Sequence, residues 1–128
     1  MPFTSKAIAN FFLDLAADDP DGLSPMKLQK LVYFAHGWHL AITGKPLINE
    51  QIEAWKYGPV IQSLFHEFKE FGAERIDRCA RDWKGNVPKV AKNSGNHFVQ
   101  ALLRKVWREY GKFSATKLSN MTHQPGTP

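Results

Sequence analysis

The longest apolar stretch of the chain runs from Leu28 to Ile42, where Leu28, Leu31, Val32, Ala35, Trp38, His39 and Ile42 recur at the spacing of one helix face. Tyr33, Phe34, Leu40 and Ala41 make most of the remaining circumference apolar, which predicts a helix at the centre of the fold. Leu23-Ser24-Pro25 marks its start: Ser24 can cap exposed amides, Pro25 suits the first helical position, and Leu23 can staple onto Leu28. Gly44, a natural left-handed cap, and Pro46 mark its end. A first helix is expected from Thr4, with Phe3 and Ile8 as a staple and Ile8, Phe11, Phe12 and Leu15 as its inner stripe. Asp18-Asp19-Pro20-Asp21-Gly22 should then reverse the chain and set the two helices antiparallel.

A third helix is expected to open at Gly58-Pro59 and stop at Gly72, with Ile61, Leu64, Phe65 and Phe68 sharing one face. A fourth spans about Asn96 to Tyr110, with Val99, Leu102, Leu103, Val106 and Tyr110 inward and Arg104, Lys105, Arg108 and Glu109 outward. Gly111 stops it, and Ser114 can cap a short fifth helix containing Leu118. Two segments break the helical period. Ile52 to Lys56 reads as a short strand, and Gly85-Asn86 is placed to turn a hairpin between Arg78–Arg81 and Val87–Val90, with Pro88 marking an edge. The expected fold is mainly α, a compact single-domain bundle of about five helices over residues 1–128 with a small antiparallel β-hairpin.

Composition narrows the setting. At 128 residues and 43% hydrophobic content the chain can bury a core without a disulfide or a structural metal. The lone Cys79 excludes an internal disulfide and fits a reducing compartment. No positive-then-apolar leader opens the sequence, and no apolar run reaches the roughly 20 residues that span a bilayer, so the cytoplasm is expected and a membrane partner is not. A net charge of +5 favours acidic partners or nucleic acid electrostatically, although a soluble basic surface is the simpler reading.

Candidate chemistry is sparse. His36 and His39 stand three apart on a helix, which permits a shared metal, but no nearby cysteine or well-spaced carboxylate completes a ligand set. Cys79 lies among Arg75, Arg78 and Arg81, which favour a thiolate, yet no base is identifiable beside it. There is no nucleophile elbow, Walker loop or dinucleotide fingerprint, and neither a cofactor nor a metal is called for. Arg75, Arg78, Arg81, Lys84, Lys89 and Lys92 form a basic segment, and Arg104, Lys105, Arg108 and Lys112 interleave with Trp107 and Tyr110. That pattern could neutralise phosphates and stack bases. The simpler reading has Trp107 seal the core edge while the charges solvate the helix.

The wording Met26-Lys27-Leu28-Gln29-Lys30-Leu31-Val32-Tyr33-Phe34-Ala35-His36-Gly37-Trp38-His39-Leu40, followed by Ala54-Trp55-Lys56-Tyr57-Gly58-Pro59, resembles the Panacea domain, also described as SocA-like or phage-associated GepA-like. Leu118-Ser119-Asn120-Met121-Thr122-His123-Gln124 is similar to the closing pattern of that family, which occurs in bacterial and prophage proteins. The resemblance implies an antitoxin: a protein-binding domain that neutralises a cognate toxin and, as in SocA-type members, can deliver it to a cellular protease. Matched by position, Tyr33, Trp38, Glu53, Trp55, Tyr57, Gly58, Pro59, Thr122 and His123 are the residues it singles out, without dividing them between folding and partner binding. The family pattern continues through a tryptophan after its final proline, whereas this sequence stops at Pro128 with Gln124 at a commonly acidic position, which leaves a C-terminal truncation open. A prophage-encoded nucleic-acid binder, and a hydrolase built from His36, His39, Glu53 or His123, are the alternatives.

Overall fold

In the computed structural model, which describes residues 2–56 and 58–122, helix α1 covers Ser5–Leu15 and α2 covers Pro25–Thr43. Strands β1 (Ile52–Trp55) and β2 (Gly58–Ile61) form an antiparallel pair, followed by α3 (Gln62–Phe68), α4 (His97–Tyr110) and α5 (Ala115–Thr122). Single 3₁₀ turns at Lys69–Phe71 and Ser94–Asn96 extend α3 and lead into α4. The result is the compact, mainly α bundle with a small sheet that the sequence pattern predicts.

The helix ends follow from local chemistry. Thr4 Oγ1 accepts the Ala7 N–H, Ser24 Oγ the Lys27 N–H and Ser114 Oγ the Lys117 N–H, so three helices carry a hydroxyl cap at their start. Leu23 and Leu28 are both buried, as the staple requires. Gly44 closes α2 at φ +73, a conformation that costs a glycine nothing. The expected turn at residues 18–22 is present, and Arg75 secures it by donating to the carbonyls of Ala17, Asp19 and Pro20.

Helix α2 touches α1, α3, α4, α5 and β2, but it is central only over its first half. Leu28, Leu31, Val32, Phe34 and Ala35 are buried, whereas Trp38, Leu40 and Ile42 are 45–56% exposed. The expectation of a central helix therefore holds for its first half alone: periodicity records which residues are apolar, not how far a neighbouring helix extends along them. Val99, Leu102, Leu103 and Val106 of α4 face the core as predicted, and Tyr110 stacks on Phe34 with ring centroids 4.5 Å apart.

The hairpin expected around Gly85-Asn86 is not a strand pair. The chain does turn there, but the turn closes on Asp82, whose Oδ1 accepts the Lys84 and Asn86 N–H groups. The flanking backbone bonds instead to a side chain of α1. Asn10, fully buried, donates to the Ala80 and Pro88 carbonyls and accepts the Ala80 N–H.

Glu67 of α3 ties the same segment down, pairing with Arg78 at 2.8 Å and Lys6 at 3.3 Å and accepting the Arg81 N–H. Burial alone would raise its carboxyl, but the Arg81 amide, the Arg78 guanidinium and the Lys6 ammonium outweigh burial and hold it below its ordinary value. This stabilisation is complete above the ordinary carboxylate range and is lost as pH falls through the lowered native value.

Candidate partner-binding site

The corner that carries Trp55, Gly58 and Pro59 is built jointly by α2 and the hairpin. Gln29, buried on α2, exchanges two hydrogen bonds with Ile61 of β2: its Nε2 donates to the Ile61 carbonyl and its Oε1 accepts the Ile61 N–H, each at 2.9 Å. A neighbouring strand would make this exchange, so one side chain of α2 stands in for a third strand. Because Ile61 turns its N–H away from β1, Pro59, two residues earlier, faces the same way. Its missing N–H therefore costs the β1–β2 ladder nothing.

Gly58 pairs with Trp55 across the hairpin at φ +112, in the region that L side chains rarely adopt. These features overturn the expected helix start at Gly58-Pro59: residues 58–61 are held extended, and α3 begins at Gln62. Gly58→Ala is expected to cost about 1–3 kcal/mol, the usual strain of a side chain forced into such a conformation. A urea midpoint equal to that of the wild type would contradict this.

Trp55 packs edge-on against Phe65 at 5.1 Å between centroids, and Phe65 against His66 at 5.5 Å. Both Trp55 and Phe65 are 39% exposed, and Met26 at the start of α2 is 41% exposed. Phe65 thus leaves the inner face that its spacing suggested, because Ile61, Leu64 and Phe68 already fill the core side of this short helix. The three exposed side chains border a groove of about 480 Å³ whose lining also includes Gln29, Lys30 and Val60. Lys56 and Lys69 complete a lysine-rich rim, and no carboxylate lines the groove among the described residues. Lys30 is almost fully buried, with Nζ 3.4 Å from the Pro59 carbonyl oxygen, and burial pushes its ammonium pKa down. Glu53 accepts a hydrogen bond from the Trp55 indole N–H at 3.4 Å and another from Gln62, so it holds the Trp55 ring in place.

The structure divides the remaining residues that the family wording singles out. Trp38 lies elsewhere, in a cleft of about 150 Å³ between α2 and α4, where its indole N–H donates to the Tyr110 hydroxyl at 3.0 Å. Tyr33 is half-buried against Phe34, and burial raises its phenol pKa. Tyr57, His123 and the side chain of Thr122 lie outside the described residues.

His36, His39 and Glu53 are turned to separate partners. His36 Nδ1 accepts the Leu47 and Ile48 N–H groups at 3.3 and 3.4 Å, whereas His39 Nδ1 meets the Lys45 carbonyl oxygen at 2.8 Å. Among the described residues no three His, Cys, Asp or Glu side chains come together in a metal-binding group. Burial, helped by the neighbouring His39, pushes the His36 pKa down. As pH falls below the ordinary imidazole value of about 6.5, the unfolded chain takes up a proton that the native state resists, so stability declines until the native pKa is passed. His36→Asn, which places an acceptor oxygen near the Nδ1 position, should flatten that part of the profile. Urea unfolding between pH 7.5 and pH 5, about one unit above and 1.5 below the ordinary histidine pKa, tests this; an unchanged slope in the variant would refute it.

The candidate basic surface is partly committed to the fold. Arg75 and Arg78 bond internally, the latter to Glu67 and Glu70, and Arg81 donates to the Gly85 carbonyl. Lys84 lies over the Trp83 ring and Arg104 over Phe11, while Arg108 is exposed in the last turn of α4. Trp107 packs against the core edge with Lys27 Nζ over its ring. Sequence reasoning missed Met26, Gln29 and Phe65 as parts of the site. A polar Gln29-Lys30 pair between Leu28 and Leu31, in the helix with the longest apolar stretch, is the one signal that could have found them.

A model of the family described as "Antitoxin SocA-like, Panacea domain" matches residues 28–128, a span that takes in the hairpin, the groove and most of α2. The chain is 33% identical over 126 residues to "Antitoxin SocA" of Caulobacter vibrioides (strain NA1000 / CB15N), an alignment covering 97% of this chain and 67% of that protein. No solved structure matches it. The chain belongs to the SocA-like antitoxin family with a Panacea domain. No helix among the described residues is long and apolar enough to cross a membrane.

Proposed function

We propose that this protein is a cytoplasmic antitoxin that neutralises a cognate toxin by binding it directly, with no chemistry of its own. The observation that carries the reading is the exposed Met26–Trp55–Phe65 groove, set on a hydrogen-bonded corner in a chain aligned nearly end to end with an antitoxin. Aromatic anchors on a rigid support suit partner binding, because little side-chain freedom remains to be lost on association. The test is co-expression with the toxin candidate encoded beside this gene. The chain should restore growth and copurify with that toxin; growth rescue without any physical association would overturn direct neutralisation. Toxin half-life measured with and without the chain tests delivery to a protease, which predicts a shorter half-life in its presence.

A further inference from the structure

We propose that the groove receives an acidic, apolar-anchored segment of the toxin, with one bulky apolar side chain seated against Trp55 and Phe65 and carboxylates facing the lysine rim. This inference rests on the toxin-binding reading above and names the chemistry of the partner. The walls explain the anchor: two aromatic rings in edge contact and a methionine leave a concave apolar surface that water alone covers poorly. The rim explains the charge. Exposed Lys56 and Lys69 form the rim, with Lys30 buried beneath it against the Pro59 carbonyl, and no Asp or Glu among the described residues lines the groove, while the Glu53 carboxylate is engaged by Trp55 and Gln62. An acidic segment meets a field of opposite sign there, whereas a basic one is repelled. The α2–α4 cleft beside Trp38 offers no such preference, because Lys105 and Glu109 both line it and its volume is about a third as large.

The two halves of the site should contribute unequally. Losing a central aromatic anchor weakens binding by about 30-fold, whereas an exposed ion pair changes it by at most about fivefold. The apolar side chain thus supplies affinity and the lysines supply selectivity. The probes are a synthetic amphipathic peptide of leucine and glutamate and its leucine–lysine counterpart, each titrated into the isotope-labelled full chain and followed by amide shifts. The acidic peptide should shift Met26, Val60 and Phe65 and bind more weakly in salt, and the basic peptide should bind more weakly than the acidic one and lose that disadvantage in salt. Phe65→Ala should weaken binding by about 30-fold and Lys69→Glu by up to about fivefold.

Equal binding of both peptides at low salt, no binding of either, or shifts centred on Trp38 would overturn the proposal. So would a concentration-dependent dimer abolished by Phe65→Ala, which would assign the groove to a second copy of this chain. The same variants in the growth assay separate the two claims. Rescue by the wild type that persists in a Trp55→Ala, Phe65→Ala double variant refutes the groove and leaves the antitoxin reading standing. No rescue by the wild type, with acidic-peptide binding intact, refutes the antitoxin reading and leaves the groove's preference standing.

Discussion

Asn10→Ala is expected to destabilise the protein by about 4 kcal/mol, because the two buried backbone groups of Ala80 and the half-buried Pro88 carbonyl lose their partner at once and each orphaned buried group costs about 1–3 kcal/mol. The Asn10 amide reaches the Ala80 and Pro88 carbonyls at 3.0 and 2.9 Å and receives the Ala80 N–H at 2.7 Å. Ala80 is itself fully buried, so its released N–H and carbonyl have no ready access to water. Urea unfolding followed by far-ultraviolet circular dichroism gives the magnitude, and a loss below about 1 kcal/mol would mean that the segment is held by other contacts. Asn10→Asp sharpens the test. Its carboxylate can still accept the Ala80 N–H but cannot donate to either carbonyl, so it should be as damaging as alanine near neutral pH and recover in part when acid protonates it.

The same residue explains why the helices were legible in the sequence and residues 73–93 were not. Thr4, Ser24, Gly44 and Ser114 set helix ends through bonds that reach only three or four residues along the chain, so a local pattern contains the whole cause. The backbone of Ala80 is satisfied by a side chain 70 positions away, and no window around Gly85-Asn86 can show it. The turn forms as the local pattern predicts and the ladder does not, because a strand pair requires backbone groups that Asn10 takes. Charge misled in a similar way: Arg75 and Arg78 look like an exposed basic surface until the carbonyls of residues 17–20 and the carboxylates of Glu67 and Glu70 are brought beside them.

The site was legible in its wording more than in its shape. Trp55, Gly58 and Pro59 stood out as an aromatic pair-and-turn pattern, but the pattern suggested a helix start where the structure has a strand. Pro59 fits either role locally; what decides is that Ile61 bonds to Gln29 across 32 positions and needs an extended backbone to do so. Met26 and Phe65 join Trp55 only because that bond brings the hairpin against the first turn of α2, so the groove is a tertiary product with no linear signature.

Gln29→Leu is accordingly expected to cost about 3 kcal/mol and to impair partner binding without touching any exposed side chain. The substitution leaves both the N–H and the carbonyl of Ile61 buried without a partner, at about 1–3 kcal/mol each, with some return from the added apolar surface. The damage should be local before it is global: β2 is held to α2 through this pair, so amide exchange at Ile61 should accelerate more than exchange at the Leu31 or Leu103 amides in the core. Growth rescue in the co-expression assay should fall in step with the loosened hairpin, at temperatures where circular dichroism still reports a folded bundle. Gln29→Glu separates hydrogen bonding from packing. Its carboxylate keeps the acceptor for the Ile61 N–H but faces the Ile61 carbonyl with like polarity, so stability should improve as pH falls and the acid regains a donor. If Gln29→Leu instead left Ile61 exchange and toxin neutralisation at wild-type levels, the clamp would be dispensable, and the rigidity of the Trp55 corner would need another source.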